Sequence, residues 1–300
     1  MTQSIPVQSR SQSARAQSAR ATTAPTVREF RHRREMPLIV LAAVLTVTAA
    51  IVFIALAAAG QDEPAWLSSA VVMAIVAPAL AALIFIRFSY WRTISNAVEV
   101  TPKQFPEVPA IFTDLAGQMG MTPDGAGMAK QPRLYVVNGM GEMNAYATKC
   151  RVRRGYVVIN SDLLDVAYFH GHFDTLRFVL AHELGHIKCG HVDIKRMILI
   201  PVSTLLLLRQ SVSRAQEYTA DRVGSFYAPE GALGLMALFA GKHIGEHVDR
   251  DAYFESVAAH QDGFWLKLAN FRADHAVGFR RMVALRRVQT DGWDVHGQML

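Results

Sequence analysis

Two histidines and a glutamate in one short run, His182-Glu183-Leu184-Gly185-His186, are the residues best able to do chemistry in this sequence. On a helix, positions i and i+4 leave the same face one turn apart. That is the spacing at which two imidazoles can grip one zinc ion. Glu183 stands beside the first histidine, where a carboxylate can reach a water without binding the metal. Zinc lowers the pKa of a bound water to about 7, and a neighbouring glutamate can take its proton as attack proceeds. Two unrelated histidines on a solvated helix face are the plainer reading. Phe178, Val179 and Leu180 precede the run and argue for a buried helix instead. Two buried histidines with a glutamate are costly without a partner. The expected cofactor is one Zn2+ per chain.

A tetrahedral catalytic zinc site takes three protein ligands and keeps one position open. Glu217 is the candidate third ligand, within Ser213-Arg214-Ala215-Gln216-Glu217-Tyr218-Thr219-Ala220-Asp221. Ser213 and Gln216 read as a capping box that starts a helix. Glu217 then falls in the first turn, with Asp221 one turn later on the same face. One carboxylate can bind zinc, and the other can accept the free ring N–H of a ligand histidine and fix its tautomer. A surface acidic pair has the same spacing. Cys189, His191, His247 and His275 are the competing ligands. Cys189 reads better as a small buried hydrophobe. His191 follows the helix-ending Gly190 and is expected to point elsewhere. His243 and His247 lack an adjacent glutamate and a buried context.

The elements that must position these groups read as α+β, mostly helical with a small sheet. A helix is predicted over about 173–189, with Asp174 or Thr175 as N-cap and Gly190 as its stop. Upstream come a helix within 102–120, a loop over 125–132, and strands at 134–137, 144–149 and 156–159, rich in aromatic and β-branched residues. The apolar run 197–208 is too short to span a bilayer and reads as a buried or membrane-facing helix. A second short apolar run covers 232–240. Phe264, Trp265, Leu268 and Phe271 read as a core-facing ridge.

The chain has 300 residues, 51% of them hydrophobic, and a formal charge of +6. Residues 1–35 lack apolar periodicity and read as a disordered basic tail. Uncharged runs at 37–60 and 66–86 are each long enough to span a bilayer core of about 30 Å. Pro78 is expected to kink the second. The short linker between them makes 36–90 a transmembrane hairpin, leaving 91–300 as the catalytic domain. Arg28, Arg31, Arg33 and Arg34 precede the first span, Asp62 and Glu63 lie in the linker, and Arg87 and Arg92 follow the second. Basic flanks favour the cytoplasmic side, so both ends of the hairpin and the catalytic domain are expected there. A basic tail next to an apolar span fits anionic lipid and topology control, and no nucleic-acid partner is expected. Two cysteines, Cys150 and Cys189, make no disulfide framework.

Taken together, the run from His182 to His186 and the segment Glu217-x-x-Ala220-Asp221 resemble the HtpX-like family of membrane zinc metallopeptidases. That family also holds the CAAX prenyl proteases and Oma-type peptidases. Asn144-Ala145-Tyr146-Ala147 is similar to the family's Asn-Ala-aromatic-Ala stretch. The resemblance implies a zincin-like fold and an edge strand there that holds extended substrate. It implies a membrane-anchored endopeptidase at the inner membrane, acting on polypeptides, misfolded membrane proteins among them, in quality control. Two departures stand out. The apolar run between the histidines and the third ligand is short, and the family's Ser/Thr-His-Pro near the C-terminus is Asp274-His275-Ala276 here. The resemblance makes His275 a candidate active-site group. Prenyl-peptide processing fits less well, since two spans form no large intramembrane chamber. An inactive membrane scaffold or sensor with a structural metal is the alternative from a different class. A structural site needs no general base, so the presence of Glu183 favours catalysis.

Overall fold

The most apolar strand of the chain, Tyr156-Val157-Val158-Ile159, is buried on both faces, as a central strand requires. In the computed structural model, which describes residues 24–59, 65–127, 129–151, 154–193, 196, 199–260, 263–273 and 277–299, this strand organises a four-stranded sheet. The strands are β1 (Ala97–Glu99), β2 (Met121–Thr122), β3 (Ala129–Lys130), β4 (Arg133–Val137), β5 (Ala145–Arg151) and β6 (Arg154–Asn160). The sheet order is β1-β4-β6-β5, with β4 and β6 parallel and the other pairs antiparallel. β2 and β3 form a separate two-stranded pair, and β3 falls inside what the sequence reads as the 125–132 loop. Within the described residues, β5 is an edge strand.

The helices are α1 (Val27–Phe30), α2 (Glu35–Ala59), α3 (Ala65–Ile94), α4 (Glu107–Gln118), α5 (Ser161–His170), α6 (Phe173–Lys188), α7 (Ile200–Leu205), α8 (Arg209–Tyr227), α9 (Leu235–Ala240), α10 (Arg250–His260), α11 (Phe264–Arg272) and α12 (Gly278–Asp291). Leu134, Val136, Val157 and Ile159 point from one face of the sheet into the main core, with Phe112 and Leu115 of α4 and Leu176, Phe178, Leu180 and Leu184 of α6. Tyr135, Tyr156 and Val158 point from the other face toward Tyr90 and Ile94 of α3.

Helix α8 packs closely on α6, and two glycines permit it. A Cβ on Gly185 would lie 3.0 Å from that of Val223, and one on Gly224 would lie 3.0 Å from the Phe178 ring. The two helix starts differ from expectation. α6 begins at Phe173, with His172 in the cap position and no side-chain cap, and Asp174 falls in its first turn. α8 begins at Arg209, so Ser213 and Gln216 form no capping box and Glu217 sits well inside the helix. The break comes earlier because Leu207 adopts a left-handed conformation (φ 57°) that ends α7.

The N-terminal region also departs from its reading. Residues 24–35 are folded. Thr26 and Glu29 form a capping box at the start of α1, and Phe30 is fully buried among Phe226, Tyr227 and Trp293. The sequence pointed to disorder because one buried aromatic makes no periodicity. Helix α2 is different: over Glu35–Leu56, 22 residues, its mean hydropathy is 2.9 and 6% of its apolar window is buried. Among the described residues it is one helix long and apolar enough to cross a membrane. In α3, Leu80, Ile84, Phe85, Phe88 and Trp91 are exposed. The side chain of Pro78 lies outside the described residues. The ridge on α11 is not core: Phe264 and Trp265 are 70% and 77% exposed. Leu205, Leu206 and Leu207 are exposed as well.

Candidate metal centre

His182, Glu183 and His186 lie in the second half of α6, whose N-terminal half is anchored in the core by Leu176, Phe178 and Leu180. The two imidazoles converge, with their Nε2 atoms 3.1 Å apart. Across the α6–α8 contact, Glu217 places Oε2 3.5 Å from His182 Nε2 and Oε1 3.4 Å from His186 Nε2. Tetrahedral zinc with bonds of 2.0–2.1 Å separates its ligand atoms by about 3.3 Å. Two imidazole nitrogens and one carboxylate at these spacings fit that ion. Among the described residues, these three side chains are the group of His, Cys, Asp and Glu able to share a metal.

Asp221 stands one turn beyond Glu217 on α8. Its Oδ1 is 2.9 Å from His182 Nδ1, so the ring donates from Nδ1 and keeps Nε2 free for a cation. Arg281, on α12, grips the same carboxylate with two donors, Nε to Oδ2 at 2.8 Å and Nη2 to Oδ1 at 2.6 Å. Burial alone would raise Asp221, but Arg281 and His182 outweigh it and hold the carboxyl below its ordinary value. The spacing of 217 and 221 points to this partnership from sequence. Arg281 stands sixty residues beyond Asp221, with no spacing in the sequence to mark the contact.

Burial and Arg281 oppose charge on His182, yet its hydrogen bonds with Asp221 and Glu217 raise it to about 9. Burial pushes His186 well below its ordinary value. Asp221 and Glu217 thus draw a proton onto the pair, and that is the electrostatic demand a cation would meet. Glu183 is buried beside them. Burial chiefly, with the Glu217 charge adding, raises its carboxyl to about 7, where a group can both take and return a proton at neutral pH.

The edge strand approaches from the far side of α6. The Asn144 carbonyl accepts from the Asn160 N–H at 2.9 Å. By the alternation of an antiparallel ladder, residues 145 and 147 turn their main-chain groups away from β6. The main chain of Ala147 faces Glu183 and favours its ionised form, so the open edge of β5 borders the cluster. Ala145 and Ala147 pack on the core, Tyr146 is 38% exposed, and Asn144 Oδ1 accepts from the Ala145 N–H at 2.9 Å.

Of the other expected residues, Cys189 is buried, and its thiol is pushed up to about 12, chiefly by burial. It behaves as the small hydrophobe expected. His191 does not point elsewhere: its Nδ1 lies 2.9 Å from His186 Nδ1. The left-handed Gly190 (φ 68°) turns the chain back, and the His191 N–H bonds to the His186 carbonyl at 2.9 Å. His275 lies outside the described residues.

Residues 102–210 match Peptidase family M48. The matched segment contains the histidine run and ends before Glu217. The chain is 27% identical to a "Protease HtpX homolog" of Dictyoglomus thermophilum over 48% of its own length and 42% of the relative's. It is 26% identical to a "Protease HtpX homolog" of Salinibacter ruber over 53% of its own length and 66% of that protein. It is 22% identical to "Plastoglobule-localized metallopeptidase 48, chloroplastic" of Arabidopsis thaliana over 56% of its own length and 51% of the relative's. The chain thus spans between two fifths and two thirds of the curated relatives it matches. No solved structure matches.

Proposed function

The chain belongs to the HtpX-like M48 metallopeptidases, and on that premise we propose that it is a membrane-anchored, zinc-dependent endopeptidase of protein quality control. The observation that carries this reading is the convergence of His182, His186 and Glu217 at the ligand spacing of tetrahedral zinc, with Glu183 poised beside them. When bound, zinc would supply a Lewis acid to polarise the scissile carbonyl and make a water acidic at neutral pH.

The residues divide the remaining work. Glu183 is the general base: it accepts a proton from the attacking water and returns it to the leaving amine. Its raised carboxyl suits both halves of that transfer. Asp221 holds His182 in the tautomer that presents Nε2, and Arg281 keeps Asp221 ionised. Asn144, Ala145, Tyr146 and Ala147 bind substrate as an added strand. The outward carbonyls of Ala145 and Ala147 accept from an extended peptide, and main-chain pairing of this kind tolerates many side chains. Such tolerance suits misfolded polypeptides of varied sequence. His275, three residues before α12, is a further candidate at the same site.

The membrane reading assigns α2 and α3 as far as residue 90 to a hairpin, with residues 91–300 as the catalytic domain. Two contacts support it. Residues 24–35 pack on the catalytic domain at one end of α2, and Tyr90 packs on the sheet at the C-terminal end of α3. Both flanks of the hairpin therefore meet the same domain, as two crossings require. The arginine asymmetry favours the cytoplasmic face of the inner membrane for this domain.

The test is casein cleavage by detergent-solubilised full chain, with zinc content measured on the same samples. Wild type is expected to cleave. Glu183→Gln is expected to keep zinc and lose about 10²–10⁴-fold in rate, the contribution of general-base help. Cleavage by Glu183→Gln at the wild-type rate would remove Glu183 from the mechanism.

A further inference from the structure

The two candidate ligand histidines are held by different means. His182 donates directly to a carboxylate, Asp221. His186 meets a second imidazole, that of His191, with Nδ1 to Nδ1 at 2.9 Å and ring centroids 4.9 Å apart. The other nitrogen of His191, Nε2, lies 3.3 Å from Oε1 of Glu35, a contact at ion-pair distance though poorly aligned as a hydrogen bond. Glu35 is the first residue of α2 and is fully buried. Its Oε2 accepts from Thr219 Oγ1 at 2.6 Å, and Arg31 and Arg196 pair with Oε1, the latter at 3.3 Å. Thr219 sits on α8 between Glu217 and Asp221. The Arg31 guanidinium also donates to the Cys189 carbonyl at 2.7 Å, so the base of α2 is tied to the end of α6 as well.

We propose that His191 and Glu35 are positioning residues for His186, a carboxylate–imidazole relay that orients its ring from the base of the N-terminal apolar helix. The proposal rests on the zinc reading of His186 and extends it. Proton counting fixes the sense of the relay. If His186 gives Nε2 to the cation, its one ring hydrogen is on Nδ1 and is donated to His191 Nδ1. His191 must then carry its own hydrogen on Nε2, the nitrogen that faces Glu35. Every proton is placed with both rings neutral and Glu35 ionised, and Arg31 and Arg196 compensate the buried carboxylate. The reverse tautomer would put hydrogens nose to nose at His186 or leave Glu35 without its donor. The site thus has two outer carboxylates of unequal reach: Asp221 acts in one step, and Glu35 acts in two.

The consequence is that metal affinity depends on how the base of α2 is seated. Glu35, Arg31 and His32 form one docked unit, with the His32 N–H on Thr219 Oγ1 at 2.8 Å and its ring on the Gly297 carbonyl at 3.1 Å. Unseating this unit removes the outer support of His186 and leaves that of His182 in place.

The test is zinc affinity of the full chain in detergent, by competition with a chelator, for wild type, His191→Phe, His191→Gln and Glu35→Gln. Phenylalanine fills the space of the ring without its nitrogens. Glutamine can accept from His186 and donate toward Glu35 in the same sense as the relay. His191→Phe is expected to weaken zinc binding about 10–100-fold, the usual effect of removing such a support. His191→Gln should recover most of that loss, and Glu35→Gln should show a smaller one. The Tm of the chelator-treated chain should move little between His191→Phe and His191→Gln, which separates positioning from packing. Zinc affinity unchanged in His191→Phe, or equally weak in phenylalanine and glutamine variants, overturns the relay alone. If His191→Phe does not fold, the shape-preserving Glu35→Gln decides, and wild-type affinity there overturns the relay. Wild type that binds no zinc overturns the relay and the metallopeptidase reading together.

Discussion

The half of the site built on α8 and the half built at the turn after α6 solve one problem by different routes. On the α8 side, the candidate ligand Glu217 and the orienting Asp221 are four residues apart on one helix, and Arg281 closes the set from α12. On the other side, His186 is supported by His191 beyond a left-handed glycine and by Glu35 at the start of α2. The first half is local, held by helical periodicity and by one close helix crossing. The second joins residues more than a hundred and fifty positions apart and exists only when the N-terminal segment is docked. A local half should be robust and strongly felt when cut. A tertiary half should be weaker and open to outside influence.

The largest effect expected from this contrast is on the local side. Asp221→Ala leaves His182 without its acceptor and the half-buried Arg281 without its carboxylate, and should cost about 10–100-fold in metal affinity or activity, measured by chelator competition and casein cleavage. This loss should equal or exceed that of His191→Phe; the opposite order would break the contrast. Next comes Gly185→Ala. The added methyl would meet Val223 at 3.0 Å, push α8 from α6, and cost about 1–3 kcal/mol by overpacking, read as a lowered Tm. It should also weaken zinc binding through Glu217, whereas Gly190→Ala, strained at φ 68°, should act through His191.

Smaller effects follow from Glu183. Its carboxyl is raised to about 7, chiefly by burial, and a general base must be ionised to work. Activity should therefore rise with pH through an acid limb centred at or below about 7, since a bound cation can only draw that value down. A limb well above neutrality would point to a different base. In the chelator-treated chain, burial favours the protonated carboxyl. The stability this gives is present below the carboxyl's ordinary value and is lost as pH rises through about 7. Glu183→Gln, neutral throughout, should then have the higher Tm at pH 8, with the gap narrowing toward pH 5.

What could be read from sequence follows the same division. Side chains repeating at i and i+4 on one helix placed His182, His186, Glu217 and Asp221 on their faces, even though α8 starts four residues before the expected cap. The strand predicted at 144–149 is β5, and it lies at the sheet edge that the family resemblance implies. His191 was misjudged because a glycine in the left-handed region reverses the chain, so the residue after a helix stop can fold back onto it. Beyond the Thr26–Glu29 cap, residues 24–35 carry no local signal, because their partners lie on α8 and after α6. The ridge on α11 failed for another reason. Clustered apolar residues tell how hydrophobic a helix face is, and only the tertiary fold tells what it faces.

The most direct test of the account is the zinc content of purified full-length chain beside Glu217→Ala. One zinc per wild-type chain and loss of zinc from the variant are expected, since two histidines alone hold it weakly and Glu217 is the third group at ligand spacing. Wild type without zinc, or Glu217→Ala retaining full occupancy, would contradict it.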